Sequence, residues 1–256
     1  MQVLWLFGGV IAFTIVAIVF TTWKERRRSR QLGAAASRLG LSYRSAGGEL
    51  LAEGLDELPL LALGTAIQHG TVSNVVTGTI AGVSVIAFDY AYWTGSPNKQ
   101  RFDYAQTVVC FRLEAHRYPG FALYPRGGAL QRITRDMAGA SAEMLTALSS
   151  PFEKGDGRRA ALNAIVQHAV DSGIDIEASA EFSSAYRVMG TDRDRIARIL
   201  RRTALDSLAR DGARSLSVEC SGQWLAIYRK NHQVGAAELQ NFLQRCVELK
   251  KGLFAA

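Results

Sequence analysis

The chain has 256 residues and 48% hydrophobic content, enough for one large domain or two small ones, and carries a formal charge of +7. The segment from Lys24 to Arg30 supplies +4 of that charge, and the remaining +3 is too small to argue for nucleic acid binding. The three cysteines, Cys110, Cys220 and Cys246, are widely spaced and odd in number, which excludes a disulfide framework and zinc-ligand spacing and fits a reducing cytoplasm.

Residues 1–23 contain no charged side chain. As a helix they would rise about 31 Å, the thickness of a bilayer's hydrocarbon core. Trp5 and Trp23 lie near the ends, where interfacial rings belong. A cleaved signal peptide fits less well. There is no basic n-region, the apolar run is too long, and a basic cluster stands where a cleavage site belongs. The expectation is a transmembrane helix over 1–23 and a basic juxtamembrane linker over 24–35. Lys24, Arg26, Arg27, Arg28 and Arg30 set the topology, opposed only by Glu25. That places the protein in the bacterial inner membrane, single-pass, with the N-terminus outside and residues 36–256 in the cytoplasm.

Residues 31–40 are Ala-rich and helix-permissive, with Gly40 as C-cap, and 41–45 reads as a short strand. Over 49–64 leucines mix with acids, and Pro59 predicts a broken helix or loop. TVSNVVTGTI (71–80) and VSVIAFDYAYW (83–93) form a hairpin about Ala81-Gly82. In its second strand Val83, Val85, Ala87, Asp89 and Ala91 share one face, and Ile86, Phe88, Tyr90 and Tyr92 the other, which predicts a central strand. A polar loop over 94–104 leads to strands at 106–114 and 121–125. Short links between successive strands predict an antiparallel meander. Helical patterns come next at 141–150 and 159–173 around an exposed loop at 152–159. One or two strands are expected over 174–190, then one helix over 191–212 capped by Thr191 and ended by Gly212. A second hairpin about Ser221-Gly222 and an amphipathic helix over 235–253 close the chain.

Among candidate chemical groups, Asp89 is the most suggestive carboxylate, because it sits within an apolar strand. Asp103 lies across the following loop, and a carboxylate pair can do acid–base work. The competing reading is that Asp89 bonds backbone or arginine and holds the loop. His69, His116, His168 and His232 are isolated, with no second ligand at helical or hairpin spacing, so no metal is expected. The arginines of 191–212 read as a solvated face paired with Asp192, Asp194 and Asp206. No nucleophile elbow, Walker loop or dinucleotide fingerprint occurs, and no cofactor is expected.

The run V-x-G-T-I-A-G-V-x-V-x-A-F-D-Y-x-Y-x-T-G, then Q-T-V-V-x-F, P-G-F-A-L-Y-P-R and D-I-x-x-x-x-E-F-S-x-x-Y-x-V-x-G-T-D, resembles a family of uncharacterised bacterial proteins, often membrane-anchored, over residues 36–250. The resemblance implies one coherent domain and carries over no catalytic residue. The fold class expected is α+β: a transmembrane helix, then one domain with an antiparallel sheet and helices packed on one side. A partly closed barrel of pleckstrin-homology type is the alternative. The function expected is a non-enzymatic protein-interaction or scaffold module held at the membrane. Its partners would be lipid, through the anchor, and a protein. The rival is a membrane-tethered enzyme or ligand sensor with a polar site around 94–104.

Overall fold

The structure, a computed structural model, describes residues 2–53, 55, 58–61, 70–94, 102–113, 118–126, 174, 176, 178–190, 192–210 and 216–254. Helix α1 spans Gln2–Arg38. Its last turns carry Ala34, Ala35 and Ala36, the residue type with the best helix propensity. It stops at Gly40, whose φ of +70° lets Leu41 N–H reach back to the Ala36 carbonyl at 2.9 Å. Strand β1 (Ser42–Ala46) and a 3-10 turn (Gly48–Glu53) come after it. Strands β2 (Thr71–Ile80) and β3 (Val83–Thr94) form the expected hairpin, with positive φ at both Ala81 and Gly82, as a two-residue turn of this kind requires. Next come β4 (Phe102–Arg112), β5 (Tyr118–Pro125), α2 (Ala180–Ala185), β6 (Tyr186–Gly190), α3 (Arg193–Ile199), α4 (Arg202–Arg210), β7 (Ser217–Gly222), β8 (Trp224–Tyr228) and α5 (Leu239–Leu253).

Among the described residues the strands make one eight-stranded sheet in the order β1-β2-β3-β4-β8-β7-β5-β6, and every neighbouring pair is antiparallel. The meander holds from β1 to β4. The hairpin β7–β8 then inserts between β4 and β5. The order runs open from edge β1 to edge β6, so a closed barrel of pleckstrin-homology type does not form among the described residues.

Both sheet faces are covered. On one, Val85, Ala87, Val109, Phe111, Val218 and Ile227 pack beneath the helices, which contribute Leu32 and Ala36 from α1 and Leu239, Leu243 and Val247 from α5. On the other, Phe88, Tyr90, Tyr92, Trp224 and Tyr228 lie under Leu50, Leu55, Leu58, Leu60 and Leu61. The two-sided alternation of β3 is explained by this burial, and the sheet with its helices is α+β.

The anchor is corrected. Among the described residues no helix is long and apolar enough to cross a membrane. α1 runs on through the basic cluster, and Leu32, Ala35 and Ala36 of this same helix pack on the sheet. With the span go the single-pass inner-membrane location, the outside N-terminus, and the reading of Lys24, Arg26, Arg27, Arg28 and Arg30 as topology signals. Arg28 in particular is drawn into an ion pair with the sheet.

Three local expectations also change. The helix expected over 191–212 is two helices. Leu200 adopts an extended conformation (φ −86°, ψ 124°) and bridges to Phe254, while Arg201 N–H donates to the Leu253 carbonyl at 2.9 Å. Tertiary pairing there overrides helix propensity. Asp192 caps α3, accepting from Arg195 N–H at 3.0 Å. Residues 180–185 form α2 where strand was expected. The helical patterns at 141–150 and 159–173, the loop at 152–159, and the ends Thr191 and Gly212 lie outside the described residues.

Candidate functional site

Asp89 stands in the middle of β3, between Ser73 of β2 and Thr107 of β4, and is 2% exposed. Each carboxylate oxygen accepts two hydrogen bonds. Arg28 Nη2 donates to both at 2.9 and 2.8 Å, Thr107 Oγ1 to one at 2.6 Å, and Asn74 Nδ2 to the other at 2.9 Å. Arg28 Nη1 also donates to the Val234 carbonyl at 3.1 Å, and Thr107 Oγ1 accepts from Val234 N–H at 2.8 Å. Asn74 can aim its amide inward because β2 is irregular between Ser73 and Val76 and Asn74 has φ of +53°, a left-handed conformation that asparagine tolerates. Its Oδ1 accepts from Ser29 Oγ at 2.8 Å and Tyr43 O–H at 2.7 Å. This junction ties α1, β1, β2, β3, β4 and the segment before α5 to one carboxylate.

Asp103 does not join it. It is exposed and pairs with Trp93, four positions along the strand from the Asp89–Thr107 pair, or about 13 Å at strand rise. The two carboxylates of the expected pair are not brought together. Residues 95–101, most of the polar loop at 94–104, lie outside the described residues. Phe88, Tyr90 and Tyr92 are core residues beneath the leucine cover, and Trp93 is half-buried.

A second buried carboxylate escaped sequence reasoning. Glu219 of β7 is 1% exposed and accepts from Tyr228 O–H at 2.6 Å, Tyr124 O–H at 2.7 Å and Leu60 N–H at 2.8 Å. Burial pushes its pKa above the usual 4.5, against the pull of those three donors. Burial, then the Glu219 charge, pushes Tyr124 and Tyr228 well above 10.0. The site fastens the turn at 58–61 onto the sheet. Its sequence signal was ambiguous: alternation with Val218 and Cys220 marks Glu219 as outward, and only a cover on that face makes outward mean buried.

The three cysteines are buried and free, and burial pushes the Cys220 thiol up to about 12. Among the described residues no group of three or more His, Cys, Asp or Glu is placed to hold a metal. Of the four histidines, His232 is described, with Nε2 3.5 Å from a Glu238 carboxylate oxygen. Two surface grooves of about 580 Å³ each are present. One, between α4 and α5, is lined by Thr203, Ser207, Asn241, Arg245 and Glu248. The other, between α1 and β1, is lined by Arg26, Ser29, Arg30, Tyr43 and Ser45.

The outward side of α1 differs from the rest of the described surface. Val16, Val19, Phe20 and Trp23 are 65, 59, 61 and 54% exposed. Their spacing of three and four residues puts them on one face. Phe20 and Trp23 have ring centroids 6.3 Å apart, and the Arg27 guanidinium lies over the Trp23 ring at 5.4 Å.

No protein-family model and no curated protein matches the chain. Among solved structures the chain is similar to the crystal structure of the mycobacterial trehalose monomycolate transport factor A, TtfA, at TM-score 0.48 and 14% identity over 86% of this chain and 90% of that one. That likeness is too distant to bear on function.

Proposed function

We propose that the protein is a non-enzymatic protein-interaction module whose contact surface is the outward face of α1. The observation that carries this reading is the contiguous exposure of Val16, Val19, Phe20 and Trp23. Large apolar side chains grouped on a surface mark a site that another molecule covers. Aromatic residues with an arginine beside them are the composition of interface centres. The Arg28–Asp89 junction and the buried Leu32, Ala35 and Ala36 hold the base of α1 on the sheet, so the face is presented pre-organised and little ordering entropy is lost on binding. Asp89, with both oxygens saturated, serves this module as the fastening of its contact helix.

The test is site-specific photocrosslinking in cells from position 16 or 20 of the full chain, followed by native mass spectrometry of the adduct. A discrete protein adduct at these positions is expected, and the adduct from position 16 should be lost in Phe20→Asp. No protein adduct from any of positions 16, 19, 20 and 23 would overturn the reading.

A further inference from the structure

Resting on that reading, we infer that the partner is an amphipathic helix carrying an apolar stripe followed by acidic residues. At 100° per residue, Arg27 and Arg30 continue the line of Val16, Val19, Phe20 and Trp23, with Arg26 at its border. The outward face of α1 is therefore apolar over the two turns from Val16 to Trp23 and cationic over the next two. Arg26, Arg27 and Arg30 are all exposed, whereas Arg28 points the other way, into the sheet. Arg26 and Arg30 also line the groove against β1, together with Glu25, Tyr43 and Ser45.

Pairing of α1 with its own equivalent in a second copy does not satisfy this surface. In a parallel pair, Arg27 and Arg30 would face their own equivalents, and like charges opposed across a contact select against it. In an antiparallel pair they would face residues before Val16, and residues 1–23 contain no acid. Glu25 is the only acid before Glu49, and it lies on the side of α1 that lines the groove, away from the stripe. Acidic positions one and two turns beyond a partner's apolar stripe would meet both cations, giving specificity and a fast encounter.

The test measures affinity between the full chain and the crosslinked partner at about 50 and about 500 mM salt, where screening of exposed charges differs strongly. It is repeated with Arg27→Glu/Arg30→Glu and with a partner whose facing acids are changed to lysine. Salt should weaken the native pair, the double variant should weaken it about tenfold or more at low salt, and the charge-swapped partner should restore the variant. A partner bound through positions 16–23 that ignores salt and the charge reversal would overturn the acidic-partner inference and leave the interaction module standing. Adducts only with a second copy would overturn the inference as well, and adducts only with lipid would overturn both it and the interaction module. An absence of any adduct removes both.

Discussion

Replacing Asp89 by Asn removes the charge but keeps the shape. It leaves the Arg28 guanidinium facing a neutral amide and puts an amide N–H where Arg28 or Asn74 now donates. Breaking a buried ion pair from one side costs about 3–5 kcal/mol. The Arg28 side chain is 22% exposed, so water offsets part of this, and the lower end, about 3 kcal/mol, applies. For a chain of this size that is a fall in Tm of about 6–12 °C. The assay is urea and thermal unfolding of the native chain, Asp89→Asn, Arg28→Met and the double variant. The double variant should be less destabilised than the sum of the singles by about 2 kcal/mol, because removing Arg28 also removes the stranded charge. A loss below about 1 kcal/mol for Asp89→Asn, with additive singles, would refute the idea that this carboxylate fastens α1 to the sheet.

Other outcomes rest on the same geometry. Phe20→Asp should change stability by no more than about 0.5 kcal/mol, since the side chain is exposed, and a larger loss by thermal unfolding would mean that this face of α1 packs within the folded chain. The folded chain holds the Glu219 proton to higher pH than the unfolded chain, so this group's contribution is fully present below 4.5 and is lost as pH rises through its raised folded value. Glu219→Gln should therefore gain stability relative to the native chain as pH rises above 4.5, and a difference flat over roughly pH 4 to 8 would remove the account of that site. Cys110, Cys220 and Cys246 should not react with a thiol reagent in the folded chain at neutral pH, and all should react in denaturant. Adding a methyl at Gly190 places it 2.8 Å from the Gly120 carbonyl, which is backbone and cannot yield, so Gly190→Ala should cost about 2 kcal/mol or more in urea unfolding.

By itself the sequence determined the local grammar of the chain: the hairpin about Ala81-Gly82, the two apolar faces of β3, the helix stop at Gly40 and the apolar positions of α5. Each is a short-range fact, because turn dihedrals and side-chain periodicity are set by neighbouring residues. The Gly222–Gln223 turn fell one residue from its expected place, since pairing of Ser221 with Trp224 sets the register. Only the tertiary structure decided what lay far apart in the chain. It inserted β7–β8 between β4 and β5, and it broke the helix at Leu200 by pairing it with Phe254, 54 residues on. It also drew Arg28 out of a basic cluster onto Asp89, 61 residues away, and turned Glu219 from an outward polar residue into a buried anchor beneath Leu60. Charge and periodicity say which side chains share a face. Which face is covered, and by what, depends on contacts between segments that have no local signature.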